Sequence, residues 1–337
     1  MTARAAFRIG DATIEPGARG SLALPVSVLS NHTPMSLGVE VAHGHEEGPV
    51  LFLSAAVHGD EVQGIEIIRR VLRHAALKRF AGTVIAVPIV NAFGFIAQSR
   101  YLPDRRDLNR SFPGSDRGSL ASVLADLFLR EVVDRSGYGI DLHSAALHRT
   151  NLPQIRISPG EPALEAMAVA FGAPVVLVSP LRDGSLRQSA LERGVKVLVF
   201  EGGEALRFEE QAIRAGVLGI LRVMRHLGMI EAEAPPRPAS PVISRSSTWV
   251  RAPEGGIFRC AARLGEHVKR GATAGIVSDP LGRNETPVVA SDDGILIGMT
   301  NLPVANRGDA LLHIARVKAR RRSGQAQAPL FDEDEIR

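Results

Sequence analysis

Short runs of aliphatic and β-branched residues alternate with longer amphipathic stretches between residues 50 and 227, and this alternation most limits the folds open to the chain. Apolar runs of roughly four to eight residues suit strands, whereas apolar residues recurring every three or four positions suit helices that cover a sheet. Strands are predicted over Val50–Ala56, Thr83–Val90, Gly139–Leu142, Gln154–Ile157, Val175–Val178 and Val195–Phe200. Helices are predicted over Val62–Leu77, with Ile65, Ile68 and Leu72 on one face, and over Leu120–Val133. A third runs over Glu209–Leu227, striped by Ile213, Val217, Leu221 and Met224, with Gly228 at the stop. The order argues for an α/β fold with a mixed, mostly parallel sheet flanked by helices on both faces.

Residues 231–241, EAEAPPRPASP, break every period and read as a linker. They separate a main domain over 1–230, with an N-terminal β extension over about 1–45, from a second over 242–317. There the sequence turns to short β segments punctuated by glycine. The stretch from Ala252 is echoed from Ala290: each has Gly-Ile, then a valine before Arg-Gly, then a closing apolar strand. This small C-terminal all-β domain resembles the barrel-sandwich fold of lipoyl and biotinyl carriers. Those carriers present a modifiable lysine between the halves; here SDPLGRNETP has none, so a structural or oligomer-forming role is expected. Residues 318–337 are polar and charged and are expected to be disordered.

Composition excludes several classes. With 337 residues, 45% of them hydrophobic, the chain can build one large core and a smaller one. Net charge is only +4, and the basic KARRR segment lacks aromatic interleaving, so no nucleic-acid partner is expected. A single cysteine excludes an internal disulfide and fits a reducing compartment. The N-terminus has no secretory apolar core, and no run approaches the roughly 20 apolar residues that span a bilayer. A cytoplasmic protein with no membrane partner is the expectation.

Taken singly, a histidine is more often a surface or core residue than a ligand. Two of the ten stand apart: His58, in LSAAVHGDE, with Glu61 three positions on, and His143, in YGIDLHSA. Each lies at the end of a predicted strand, where open α/β sheets place their sites. Two imidazoles and a carboxylate are the ligands of a catalytic zinc, which keeps a fourth position for water and lowers its pKa to about 7. Asp141, two residues before His143, shares its face if the strand continues, and can orient an imidazole.

Four blocks in order carry a family resemblance: HGDE, DLNRSFPG (Asp107–Gly114), DLHSA (Asp141–Ala145) and VFEGGE (Val199–Glu204). Over roughly residues 45–230 the chain resembles the succinylglutamate desuccinylase/aspartoacylase family of the zinc carboxypeptidase superfamily, and the region beyond resembles that family's C-terminal β-domain. The resemblance implies a zinc carboxypeptidase-like fold and one Zn2+ on His58, Glu61 and His143. Glu201 matches the catalytic glutamate, with Glu204 the rival; the glycines after Glu201 are expected to admit substrate closely. Asn109 and Arg110 match the pair that binds the substrate carboxylate, for which an arginine fork is well shaped. Arg100, or alternatively Arg106, matches the arginine that polarises the scissile carbonyl.

The implied function is zinc-dependent hydrolysis of the amide bond of a small N-acyl amino acid or related N-acyl amine. A metallocarboxypeptidase acting on peptides and a noncatalytic zinc-binding module are the alternatives. The acyl group is not readable, although Arg182 and Arg187 could meet an acidic one. A homo-oligomer is compatible with all of this.

Overall fold

Leu51, Leu53 and Ala55 of the strand Glu46–Ala55 point to one side of the sheet and Phe52 to the other, as period-two alternation requires, and the two sets belong to different cores. The computed structural model describes residues 4–231 and 240–317. Most of the predicted linker, residues 232–239, and all of the predicted tail, residues 318–337, lie outside the described residues.

Four parallel strands form the centre of the sheet, in the order Lys196–Glu204, Tyr138–Ala145, Glu46–Ala55, Ala81–Val87. Antiparallel strands flank them: Arg149–Ile157 on one side, then Pro34–His43 and Arg19–Val28 on the other. The N-terminal extension therefore widens the sheet. Helices Gln63–Arg73, Pro162–Phe171 and Glu210–His226 cover one face through Ile67, Ile68, Met167, Phe171, Ile213 and Ile220. Leu120–Phe128 and Leu186–Glu192 cover the other with Leu124, Phe128, Leu186 and Ala190. The expected mixed α/β sheet flanked by helices is the observed one.

Boundaries differ for local reasons. The strand predicted to Val90 stops at Val87, before Pro88, which has no N–H to give a ladder. The helix predicted to Leu77 ends at Arg73. His74 turns extended there, and its Nδ1 accepts from Ala76 N to cap a separate 3-10 turn, Ala75–Lys78. The helix from Leu120 widens into a π turn over Leu129–Val133. Gly228, at φ +70°, ends the last helix as expected. Two strands run further than predicted, so His143 and Glu201 lie inside them rather than after them.

The C-terminal strands are not set apart. Gly294–Thr300 pairs antiparallel with Arg149–Ile157, so that Ala310–Arg316 and Ser247–Arg251 extend the same sheet. Val242–Ser244 adds in parallel beside Val175–Val178. A second sheet, ordered Glu285–Val289, Thr273–Ser278, Gly256–Cys260, Val304–Ala305, closes over Val250, Phe258, Val277, Leu296 and Ile314. A shared cluster of Leu152, Val175, Leu177, Ile295, Ile297 and Ala315 joins the two parts. Among the described residues no helix is long and apolar enough to cross a membrane.

The turn after Ala55 is tightly determined. Ala56 takes φ +50°, unusual for a side chain with a Cβ, and Gly59 lies against the backbone of Gly94. A Cβ on Gly59 would stand 2.0 Å from the Gly94 carbonyl carbon. Asn91 braces the partner turn by accepting from Gly94 N at 2.8 Å. Gly59→Ala is expected to destabilise the fold by about 1–3 kcal/mol, in the range of overpacking. Urea unfolding measures this, and an unchanged midpoint would show that the two turns separate freely.

Candidate active site

Alternation along the central strands divides them cleanly. Ile140, Leu142, Leu198 and Phe200 enter the helix-covered core, which leaves Asp141, His143, Val199 and Glu201 on the opposite face. Register then sets the neighbours. Ser54, Asp141, Val199 and Arg156 form one row across four strands, and His143 and Glu201 are partners in the next. His58 enters from the turn at Ala56, and the bond from Glu61 N to His58 O, at 3.1 Å, folds Glu61 back beside it.

Glu61 is the hub. Its Oε1 accepts from His58 Nδ1 and its Oε2 from His143 Nδ1, each at 2.7 Å. The far nitrogens also meet carboxylates: His143 Nε2 lies 2.7 Å from Asp141 Oδ2, whose Oδ1 accepts from Ser54 Oγ at 2.7 Å. His58 Nε2 is 3.3 Å from Asp107 Oδ1, within ion-pair range though off the line of a hydrogen bond. Arg100 donates to Asp107 at 2.9 Å and to Glu61 at 3.3 Å.

All three central side chains are buried, so charge must be balanced locally. Burial alone would raise the Glu61 carboxyl, but the positive charge of His58 and His143 holds it far below the usual carboxylate range. Burial would likewise lower the imidazoles; Glu61 and Asp107 raise His58, while Asp141 and Glu61 raise His143 well above its ordinary value. Asp107 is held low against its own burial by His58 and Arg100. Asp60 is pushed up, by burial first and by Glu61 second.

The donor set fits a divalent metal ion. One ligand atom each from His58, Glu61 and His143 lies within 4.8 Å of the other two. Both Nδ1 atoms converge on the same carboxylate, and both Nε2 atoms are backed by a second one, the usual support of metal-binding imidazoles. Metal-binding imidazoles are neutral, and in that state the carboxylates of Glu61, Asp107 and Asp141 outnumber the Arg100 guanidinium and leave negative charge for a cation to offset.

The cluster opens into a cavity of about 670 Å³ lined by His58, Glu61, His143, Arg100, Asn109, Arg110 and Glu201. Sequence-predicted residues from five segments thus meet at one place. Arg106 does not: it pairs with Asp104 at 3.7 Å and is 63% exposed. Glu204 also lies off the cavity wall, accepting from His148 N at 3.1 Å and from Asn301 Nδ2 at 2.9 Å. Asn109 Oδ1 accepts from Leu186 N at 2.9 Å, anchoring its loop to the helix Leu186–Glu192. The glycines after Glu201 also admit a side chain of the protein itself. Gln63 Nε2 donates to Gly202 O at 2.8 Å, and a Cβ on Gly203 would meet that amide at 1.8 Å.

Sequence reasoning missed other contributors. Glu201 accepts from Asn151 Nδ2 at 2.9 Å and lies 3.3 Å from Arg156. Ser247, Trp249 and His313 of the C-terminal strands line the same cavity. His313 stacks on Trp249 at 4.4 Å and 7°, its Nε2 is 2.9 Å from Ser247 Oγ, and Arg149 lies over the Trp249 ring at 5.1 Å. Arg156 could have been noticed by its alternation with Gln154; nothing local pointed to His313.

A mixed α/β sheet carrying a buried His-Glu-His cluster, with a glutamate in register beside it, has the form of an amide hydrolase. Residues 47–227 match the succinylglutamate desuccinylase/aspartoacylase catalytic domain. The chain is 31% identical over 286 residues to the N-alpha-acetyl-L-2,4-diaminobutyric acid deacetylase of Halomonas elongata, covering 80% of this chain and 83% of that one. The structure resembles a succinylglutamate desuccinylase/aspartoacylase from Rhodobacter sphaeroides, with a TM-score of 0.77, 28% identity and coverage of 88% and 95% of the two chains. It shares its fold with the product-bound ectoine utilization protein of Ruegeria pomeroyi, with a TM-score of 0.78, 24% identity and coverage of 89% and 95%. The chain belongs to the succinylglutamate desuccinylase/aspartoacylase family, whose members remove acyl groups from small N-acyl amino acids.

His313 makes the cavity wall sensitive to acid. Burial, then the charges of Arg156, Arg149 and Arg182, push its imidazole down to about 3. The unfolded side chain titrates near 6.5, so it takes up a proton where the native one does not. Stability from the neutral ring is complete above about pH 6.5 and declines as pH falls toward 3. Urea unfolding at a series of pH values should show a shallower acid loss for His313→Gln than for the wild type; equal slopes would remove His313 from the account.

Proposed function

We propose that the protein is a zinc-dependent deacylase that hydrolyses the amide bond of a small N-acyl amino acid or related N-acyl amine. The observation that carries this reading is the convergence of His58, Glu61 and His143 on one point, with Glu201 in register beside His143 in the same cavity. Zinc on these three residues would supply Lewis acidity, acidifying water and polarising a carbonyl. Asn109 and Arg110 fix the substrate carboxylate, Arg110 by its guanidinium fork. Arg100, held by Asp107 beside Glu61, faces the negative charge that develops on the scissile carbonyl oxygen. Glu201 takes a proton from the attacking water and returns it to the departing amine nitrogen. Asn151 and Arg156 hold its carboxylate in position for both transfers.

Among small substrates, the Halomonas relative's N-acetylated diamino acid is one candidate. A peptide substrate is the alternative, and Ser247, Trp249 and His313 of the C-terminal strands belong to the cavity wall that either substrate would meet. The single cysteine supports a cytoplasmic enzyme, and the limits proposed for its two parts remain 1–230 and 242–317.

Release of free amine from a panel of N-acyl amino acids, N-acyl diamines and short peptides tests the reading. Zinc-loaded protein should turn over a small acyl-amine and chelated protein should not; cleavage confined to peptides would replace the reading with the carboxypeptidase one. Glu201→Gln should abolish turnover while leaving zinc affinity unchanged, and retained activity would remove Glu201 as the base. Asp141→Asn should weaken zinc binding by about 10- to 100-fold in competition with a chromophoric chelator. Unaltered affinity would show that Asp141 does not support the centre.

A further inference from the structure

The strand that carries Glu201 loses its regular pairing immediately after that residue. On its parallel side the register passes from Glu201 opposite His143 to Glu204 opposite Ala145, and on its antiparallel side from Glu201 opposite Gln154 to Gly203 opposite Asn151. An interruption of this kind takes backbone groups out of the ladder and lets a strand bend. Side chains from outside the sheet take the place of the lost partners. Gln63 Nε2 donates to Gly202 O at 2.8 Å, and Gln63 Oε1 accepts from Glu209 N at 3.2 Å. Glu209 Oε1 in turn accepts from Glu204 N at 2.9 Å, so the Gln63 amide belongs to a ring of bonds that spans the bulge. Its fit is close: Gln63 is 1% exposed, and Gly203, at φ +71°, leaves it the space a Cβ would fill. One end of the amide donates and the other accepts, which fixes its orientation.

Gln63 also belongs to the segment that carries two of the metal-site residues. It opens the helix Gln63–Arg73, two positions after Glu61. That helix start rests directly on the sheet: a Cβ on Gly64 would stand 2.5 Å from Ala55 Cβ and 2.7 Å from Leu142 Cβ, next to His143. Leu206 N donates to Asp60 O at 2.8 Å, so the same turn holds the chain beyond the bulge a second time. Asn151 and Arg156 hold the Glu201 carboxylate from the neighbouring antiparallel strand, without reference to the turn of His58 and Glu61. Gln63 supplies that reference.

Resting on the deacylase reading, we propose that Gln63 is a positioning residue: by clamping the bulge after Glu201 to the His58–Glu61 turn, it sets the separation between the general base and the metal-ligating side chains. Glu201 must reach both the attacking water and the departing nitrogen, and a misplacement of about 1 Å can cost about 100-fold in rate. Gln63 is not part of the cavity wall and acts through Glu201 alone.

Gln63→Met keeps the volume and removes both hydrogen bonds. Glu209→Ala removes the brace on Glu204 N, whereas Glu209→Gln keeps an acceptor there. The zinc-loaded proteins are compared in kcat and KM on N-alpha-acetyl-2,4-diaminobutyrate, or, if that is not cleaved, on the fastest substrate of the amine-release panel, and in zinc affinity against a chromophoric chelator. Gln63→Met should lower kcat about 10- to 100-fold while KM and zinc affinity stay within about threefold of the wild type. Glu209→Ala should act in the same direction, and Glu209→Gln should restore the rate. A folded Gln63→Met protein with wild-type kcat, or a loss of kcat matched by a loss of zinc affinity or a rise in KM, would overturn the clamp. If Gln63→Met does not fold, the Glu209 pair decides: a kcat deficit in Glu209→Ala that Glu209→Gln repairs supports the clamp, and equal values overturn it. If the wild type cleaves no compound, the deacylase reading fails and amide hydrogen exchange decides the clamp instead. Faster exchange in residues 201–206 of Gln63→Met or Glu209→Ala, with 138–145 unchanged, supports it; an unaltered or uniformly raised pattern overturns it.

Discussion

The Glu61 carboxylate, almost wholly removed from solvent, holds two imidazoles at once, and the rest of the site is arranged around that fact. A buried carboxylate is tolerated only when it is paired and hydrogen-bonded, and removing one partner of such a pair costs about 3–5 kcal/mol. Here the partners come from a turn and from a strand far away in sequence, so a single charge ties His58 to His143. Each imidazole is then backed by a carboxylate of its own, Asp107 from a loop and Asp141 from the His143 strand. The result is a circuit of charge in which each imidazole lies between two carboxylates. The same convergence of Nδ1 atoms that satisfies Glu61 also presents the donors a divalent metal would use.

This circuit depends on the sheet. Asp141 and His143 share a face because they are two apart in a strand that continues through both, and Glu201 joins them because the neighbouring strand is parallel and in register. The opposite faces of these strands carry Ile140, Leu142, Leu198 and Phe200 into the helix-covered core. A slip of one residue in either strand would place charged groups in that core and apolar ones in the cavity. Burial of the aliphatic set therefore fixes the register, and register fixes the chemistry.

What the sequence made legible follows the same division. His58, with Glu61 three positions on, His143 and Glu201 sit at predicted strand ends, from which their meeting could be anticipated, whereas Arg100 and the Asn109–Arg110 pair were placed by the family resemblance. The helix-flanked sheet was legible because its alternating apolar pattern extends over long segments. Pairing between side chains on different strands was not, since the contacts of Arg156 and Asn151 with Glu201 depend on which residues face each other across an antiparallel ladder. The packing of Gly203 against Gln63 was not legible for a related reason: the two are 140 positions apart along the chain. Arg100 was the preferred match with Arg106 as the alternative, and the fold lines the cavity with Arg100 and turns Arg106 outward.

The C-terminal region gives the clearest case. Read along the chain, a linker and a change of composition mark residues 242–317 as a unit of their own, and within that range a second sheet closes over its own apolar cluster. Yet the ladder between Gly298 and Asn151 carries the main sheet into it, and Gln154 Nε2 donates to Ile297 O at 3.2 Å across the join. The strand that borders Glu201 on one side thus borders the C-terminal strands on the other. Arg149 and Asn151 consequently stand between two structural units and serve both, Arg149 over Trp249 and Asn151 on Glu201. Because Trp249 and His313 are set by that sheet extension, this wall of the cavity depends on the C-terminal strands, while the His-Glu-His cluster and its register depend on the central ones. Fold and chemistry are held by the central strands, and the shape and charge of what may enter are held jointly with the strands at the sheet's edge.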